Sequence, residues 1–168
     1  MSDQPSDQAT NVNPTDAPDE ENWSVQKLPY EEDVVPRGFL QLCADRRFHR
    51  DIQEKFQRDA NLASPTDYWI HADAGGTPKM ERQTTAPNYC YYDKGVRLMG
   101  WSAHGDKCGG FGEDVPDEVI WQALNFAVER RVREYPEATH FVYFVTAKKE
   151  RDAGKTMVYS KVFGKGSS

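Results

Sequence analysis

Residues 38–47 read Gly-Phe-Leu-Gln-Leu-Cys-Ala-Asp-Arg-Arg, an apolar run that ends in a cysteine and a charged turn. A short apolar run between turn or charge signals is typical of a buried strand, and we predict one over 38–42. From Arg47 onward the apolar residues are instead spaced four apart, at Phe48, Ile52 and Phe56. This is the spacing of one face of a helix, so the strand is followed by a helix that ends near Asp59.

The same alternation of strands and helices continues toward the C terminus. Short apolar runs predict further strands over 68–72, 95–103 and 140–145 and an edge strand over 155–163. After Gly112 a broad apolar stripe predicts a long helix, with Asp114 as its cap, Pro116 in its first turn and Pro136 at its end. Residues 77–94 show no clear period, and we expect an irregular or hairpin connection there.

This element order indicates an α/β fold. Strands that alternate with helices form a mainly parallel sheet, here of four to five strands, with helices on both faces. A chain of 168 residues is the size of a single domain. We therefore predict a single-domain α/β protein.

The first 22 residues differ in composition from the rest of the chain. They contain six acidic residues, no Lys or Arg and very few apolar residues, so they cannot bury enough surface to offset the cost of ordering. We expect 1–22 to be a disordered acidic tail, either a recruitment segment or a solubilising one, and 23–168 to be the folded domain. Without the tail the domain holds 21 acidic and 21 basic residues. It shows no basic stripe for nucleic acid.

Targeting signals and disulfides are not predicted either. No apolar run approaches the roughly 20 residues that span a bilayer, and no secretory signal pattern is seen. We expect a cytoplasmic protein without membrane contact. Three cysteines, an odd number, favour metal binding or catalysis over a disulfide framework in such a compartment.

Soft metal ligands stand at the ends of two predicted strands. Cys43 follows the first strand, and His104 and Cys108 follow the strand over 95–103. The carboxyl ends of parallel strands line the ligand crevice of an open α/β sheet, and a spacing of four places His104 and Cys108 on one face of a helical turn. Two thiolates and an imidazole make a three-ligand zinc site with an open position. Cys90 is more typical of a structural thiol, but as a fourth ligand it would close the site.

Two charged residues follow Cys43 closely. Residues two apart in an extended segment point the same way, so Asp45 and Arg47 can face the same pocket as Cys43, with Arg47 holding the Asp45 carboxylate ionised. Water at the open zinc position would ionise near pH 7, and Asp45 could accept a hydrogen bond from it. Alternatively, Asp45 binds the metal itself and closes the site.

Three motifs together resemble the β-class carbonic anhydrase family: Cys-x-Asp-x-Arg at 43–47, Ala-Gly-Gly at 74–76 and His…Cys-Gly-Gly at 104–110. The resemblance extends over residues 37–147. It implies Zn²⁺ bound by Cys43, His104 and Cys108, with Asp45 and Arg47 as a dyad beside the metal. The family's lyase activity hydrates CO2 to bicarbonate by attack of zinc-bound hydroxide, and its close relatives hydrolyse small carbon–sulfur substrates. A homodimer with the site near its interface is also implied.

The chain departs from the family pattern in two places. Three residues separate His104 from Cys108, where the family has two, and residues 77–94 are short beside the family's helical connection. Three hypotheses remain. The first is a zinc lyase or hydrolase of the β-carbonic anhydrase type that acts on CO2 or a similar small electrophile. The second is a non-catalytic zinc module of the same fold that works through protein partners. The third is a metal-free reactive-thiol protein.

Overall fold

The computed structural model describes residue 18 and residues 21–30, 35–147 and 153–164. The chain divides into two units, Met1–Asp33 and Val34–Ser168. In the first unit, residues 21–30 form a turn followed by a stretch without helix or strand, and the side chains of Trp23, Leu28 and Tyr30 are exposed. Most of the tail predicted over 1–22 lies outside the described residues, so its disorder stays a prediction.

The second unit is built on one five-stranded sheet with the strand order β2-β1-β3-β4-β5. Strands β1 to β4 pair in parallel, and β5 pairs antiparallel with β4 at one edge. The predicted α/β class with a mainly parallel sheet is therefore confirmed. The strands are Gly38–Cys43 (β1), Tyr68–Asp73 (β2), Leu98–His104 (β3), Thr139–Thr146 (β4) and Met157–Phe163 (β5).

Helices cover both faces of the sheet, as the alternating pattern predicts. Helix α1 (His49–Asp59) buries Phe56 in a cluster with Leu40 of β1 and Phe141 of β4. The long C-terminal helix (Asp117–Glu134) buries Leu124 with Trp101 on the opposite face. The 3.6-residue spacing on each helix decides which side chains reach the sheet.

One local prediction is wrong. The long helix has Pro116 at its N-cap, with no side-chain cap, so Asp114 does not cap it and Pro116 lies just before its first turn. Of the two alternatives expected for residues 77–94, the structure shows the irregular connection and not the hairpin. These residues form a 3-10 turn (Thr77–Lys79), a short helix α2 (Thr85–Asn88) and a π-helical turn (Tyr89–Asp93). Contacts from distant parts of the chain, such as Arg131 donating to the Met80 carbonyl oxygen, organise this connection. We call the long helix α3.

The sheet opens between β1 and β3. These strands pair only from Gly38 to Leu40 on β1, whereas β3 and β4 stay paired as far as His104. The chain leaves β1 toward β2 on one side and β3 toward β4 on the other. Such a reversal of strand order is where open α/β sheets bind ligands, outside the carboxyl ends of the strands. Any ligand site is therefore expected where β1 and β3 end.

Candidate metal centre

The two strands at the opening end in potential metal ligands. Cys43 is the last residue of β1, His104 is the last residue of β3, and Cys108 follows in the next loop. Their ligand atoms all lie within 4.8 Å of one another. The three residues are 6%, 1% and 0% exposed, so the site is sealed from bulk solvent on the side of the ligands. This group could hold a metal ion.

The separation of the two sulfur atoms fits a shared metal. The Sγ atoms of Cys43 and Cys108 are 3.8 Å apart, far beyond the bond of about 2.05 Å in a disulfide. Two sulfurs bound tetrahedrally to zinc, each at about 2.3 Å, would also be about 3.8 Å apart. The thiol positions therefore need no rearrangement to accept a tetrahedral ion.

The imidazole of His104 is oriented in the same way. Its Nδ1 lies 2.7 Å from the Gly105 carbonyl oxygen, which can only accept a hydrogen bond. Nδ1 therefore carries a proton, and in the neutral ring Nε2 keeps its lone pair. Nε2 is buried and has no hydrogen-bond partner among the described residues. A buried acceptor without a partner is costly, and a metal ion would satisfy it in the way usual for ligating histidines.

The loop between His104 and Cys108 is not the helical turn that the spacing predicted. Asp106 and Lys107 are both in the left-handed region, with φ of 58° and 64°. Their carbonyl oxygens both accept hydrogen bonds from Arg47 Nη2, each at 3.1 Å. Three residues separate His104 from Cys108, one more than in the pattern that the sequence resembles. A tight turn accommodates the third residue, and Cys108 still reaches Cys43.

Asp45 and Arg47 form the predicted ion pair. Arg47 Nη2 and Nε donate to Asp45 Oδ2 at 2.6 and 2.9 Å, and the Arg47 backbone N–H donates to Oδ1 at 3.0 Å. The chain is extended at Asp45 but turns into a 3-10 helix at Arg46–Phe48, so the extended geometry assumed from sequence holds only for Asp45. The hydrogen bonds from Arg47 lower the pKa of Asp45 to about 2. Asp45 is ionised at neutral pH.

The protonation of the two thiols is unequal. The hydrogen bond between the sulfurs lowers the pKa of Cys43 to about 4 and raises that of Cys108 well above its ordinary value. Backbone N–H groups of Asp45 and Gly75 also point at the Cys43 sulfur, at 3.5 and 3.4 Å. These contacts favour the thiolate at Cys43, the form that binds metals.

The glycine turn after β2 fills the opening between β1 and β3. Gly75 and Gly76 have positive φ values of 90° and 66°. A Cβ on Gly76 would lie 2.5 Å from the Ser102 carbonyl oxygen, so only glycine fits there. The next residue, Thr77, accepts a hydrogen bond from the Ser102 backbone N–H at 3.0 Å. Gly76 therefore lets the turn pack directly against the backbones of β1 and β3.

Other candidate residues lie elsewhere or escaped prediction. Cys90 is buried in the core beside Tyr91, outside the group of potential ligands among the described residues, and burial raises its pKa to about 11. The sequence itself did not indicate that His49 would contact the Cys43 carbonyl oxygen. It also gave no sign that Asp117 would bind the backbone of the ligand loop. Both contacts depend on tertiary structure.

Comparisons with known proteins give structural neighbours but no sequence match. No family model and no curated protein matches the chain. One neighbour belongs to a study of two tetrameric β-carbonic anhydrases from the ascomycete Sordaria macrospora, with 13% identity, a TM-score of 0.46 and coverage of 77% of this chain and 83% of that one. Another is the β-carbonic anhydrase CcaA, with 12% identity, a TM-score of 0.38 and 79% coverage of each chain. At these values neither neighbour assigns a role to a residue of this chain.

Within the ranges that the structure describes, none of the helices has the length and apolar character needed to cross a bilayer.

Proposed function

We propose that this chain is a zinc-dependent lyase or hydrolase that acts on CO2 or a similarly small electrophile. Cys43, His104 and Cys108 would hold the Zn²⁺. The observation that supports this most directly is the buried group of two sulfurs 3.8 Å apart and one imidazole nitrogen that has no hydrogen-bond partner in the described part of the chain. Zinc held by three protein ligands activates water near neutral pH for attack on an electrophilic carbon.

The donor set favours zinc among the common metals. Thiolate and imidazole ligands suit zinc, copper and iron, whereas calcium and magnesium prefer oxygen ligands. A mixed set of two sulfurs and one nitrogen in tetrahedral spacing is typical of Zn²⁺. Elemental analysis of protein purified without added metal, together with X-ray absorption, would identify the ion and count its sulfur ligands.

Asp45 and Arg47 would orient the attacking water. The ionised Asp45 carboxylate can only accept hydrogen bonds, and its Oδ2 lies 3.7 Å from His104 Nε2, at the edge of the ligand group. Arg47 holds that carboxylate in place. The side chain of Asp45 is 26% exposed and that of Arg47 is 49% exposed. They therefore stand between the buried ligands and solvent, where a small substrate would enter. Fixing the water in one orientation lowers the entropic part of the barrier.

CO2 hydration tests the proposal directly. Zinc-reconstituted protein should hydrate CO2 faster than buffer in a stopped-flow assay between pH 7 and 9. The activity should be lost in Cys43→Ser and kept in Cys90→Ser, a matched control because both cysteines are buried but only Cys43 belongs to the ligand group. Zinc-loaded protein that accelerates neither CO2 hydration nor the hydrolysis of COS or CS2 would rule the activity out.

One distance favours a second candidate, a closed zinc site in a non-catalytic module that acts through protein partners. Asp45 Oδ2 is near enough to His104 Nε2, at 3.7 Å, for a small movement to bring it onto a metal ion. The Asp45→Asn variant separates the two cases. In an open site this variant keeps its zinc but hydrates CO2 more slowly. In a closed site it loses a ligand and releases zinc to a chelator much faster.

We also propose a cytoplasmic protein that assembles at least into a homodimer. The neighbour from Sordaria macrospora is described as tetrameric. In this chain, β5 lies at the edge of the sheet and exposes Tyr159, Val162 and Phe163. Apolar side chains along a sheet edge are common at subunit contacts. Sedimentation velocity at several protein concentrations would detect the dimer, and a monomer throughout would rule it out.

A further inference from the structure

Asp117, the first residue of α3, joins three parts of the fold through one carboxylate. Its Oδ1 accepts a hydrogen bond from the Asp106 backbone N–H at 2.8 Å. Its Oδ2 accepts one from the hydroxyl of Thr146 at 2.8 Å. Asp106 lies in the loop between His104 and Cys108, and Thr146 is the last residue of β4. The carboxylate therefore ties the ligand loop to α3 and to the sheet.

The fit between this carboxylate and the loop is close. A Cβ built on Gly105 would lie 2.3 to 2.6 Å from the carboxylate atoms of Asp117, so glycine is needed where the loop passes α3. On its other side Gly105 is held to the sheet, because its N–H donates to the Val145 carbonyl oxygen at 2.8 Å. The loop has little freedom to shift while Asp117 is in place.

The same loop also binds Arg47 through its backbone carbonyl groups. The carbonyl oxygens of Asp106 and Lys107, turned by two successive left-handed residues, accept from Arg47 Nη2 at 3.1 Å. The same Nη2 donates to Asp45 Oδ2 at 2.6 Å. Hydrogen bonds thus connect Asp117 to the loop, the loop to Arg47, and Arg47 to Asp45.

We propose that Asp117 is a positioning residue for the metal centre. By fixing the backbone of Asp106 and Lys107, it sets the place of Arg47 and, through Arg47, the place of the Asp45 carboxylate beside the metal. This inference rests on the function proposed above. Among the contacts described, Asp117 bonds to the loop and to Thr146 and not to a potential ligand atom, so its effect on the reaction passes through the loop. The competing interpretation is that Asp117 only stabilises the start of α3.

Three variants separate positioning from stabilisation. Asp117→Ala removes both acceptors, Asp117→Asn keeps an amide oxygen that can accept from Asp106, and Glu118→Gln removes a neighbouring first-turn charge that bonds only to Gln122 among the contacts described. The Co²⁺-reconstituted proteins are compared by visible absorption, and the zinc proteins by kcat and KM for CO2. For Asp117→Ala we expect an altered cobalt spectrum and a kcat lower by about 10- to 100-fold, with KM within about twofold. Asp117→Asn should recover most of both, and Glu118→Gln should match the unmodified protein.

Two results would decide against the proposal. If Asp117→Ala lowers only the melting temperature and leaves the cobalt spectrum and kcat unchanged, Asp117 is a structural residue. If Asp117→Asn is as impaired as Asp117→Ala, the hydrogen bond to Asp106 is not what matters. If Asp117→Ala does not fold, Gly105→Ala replaces it, because the added methyl group pushes the carboxylate away without deleting it, and the same spectral change is expected. If no form of the protein hydrates CO2, the proposed function fails, and the cobalt spectra still decide whether Asp117 positions the site.

Discussion

Gly110→Ala tests whether the two loops at the metal centre are held in contact by glycine alone. A Cβ on Gly110 would lie 2.2 Å from the Gly75 nitrogen and 2.5 Å from the Ala74 carbonyl carbon. The optimal van der Waals separation of nonbonded heavy atoms is about 3.5 Å, so the two backbones must move apart by about 1 Å. Both partners are backbone atoms, which cannot rotate away as a side chain could.

The expected cost follows from that displacement. Overpacking of a closely packed site costs about 1–3 kcal/mol, and in a domain of this size each kcal/mol lowers the melting temperature by about 3–5 °C. The Gly75 N–H also points at the Cys43 sulfur, so separating the loops disturbs the surroundings of that ligand. Loss of such supporting contacts weakens metal binding by about 10- to 100-fold.

Gly109→Ala is the matched control, because a Cβ on the adjacent Gly109 would meet nothing within 4 Å. Both variants are compared by thermal denaturation of the metal-free protein and by zinc competition against a chromogenic chelator. Gly110→Ala should be less stable and bind zinc more weakly, while Gly109→Ala should resemble the unmodified protein. Equal stability and equal zinc affinity of the two variants would show that the loops are not in the contact described.

Three further predictions concern the metal, a buried thiol and a buried histidine. Removing the metal with a chelator should lower the melting temperature, since zinc at 100 times its Kd adds about 2.7 kcal/mol to the free energy of unfolding; a melting temperature independent of zinc would contradict the site. Burial raises the pKa of Cys90 to about 11, so Cys90 should resist alkylation at pH 8 until urea unfolds the protein. Mass spectrometry of the modified peptides can follow the alkylation. Rapid labelling in the native protein would show that Cys90 is accessible. Burial also lowers the pKa of His140, whose Nδ1 accepts from the Trp101 indole and whose Nε2–H donates to the Tyr135 carbonyl oxygen. Folding therefore favours the neutral ring of His140. The contribution of this ring to the free energy of unfolding is full above the unfolded pKa of about 6.5, and it is lost as the pH falls below that value. Urea denaturation from pH 8 to 5 should show a loss of stability that is smaller in His140→Gln; an equal loss in the variant would assign the pH dependence to other groups.

The strands and the two main helices could be predicted from the sequence because their signals are local. The apolar run over 38–42 predicted β1, and the four-residue spacing from Phe48 to Phe56 predicted α1. Each depends on the spacing of side chains within one element. The class of fold followed from the order of these elements, which the structure confirms.

What the sequence did not predict depends on contacts between distant residues. The left-handed turn at Asp106 and Lys107 is held by Arg47, about 60 positions earlier in the chain. A spacing of four at His104 and Cys108 is equally compatible with a helical turn, so spacing alone could not reveal it. The cap of α3 was predicted at Asp114, whereas the helix begins at Asp117 with Pro116 at its N-cap. The assignment of Cys43, His104 and Cys108 as metal ligands stays a prediction that their proximity supports.

The potential ligands come from segments that are far apart along the polypeptide, since Cys108 follows Cys43 by 65 positions. An ion bound to both cysteines would act as a reversible cross-link. It would close a loop of the chain that contains α1, β2 and β3. A covalent link closing a loop of that size restricts the denatured ensemble by about 4 kcal/mol in the chain-entropy view. If the ion binds before the chain has finished folding, it would also bring β1 and β3 together early, so the order in which metal and structure are acquired becomes part of how this protein matures.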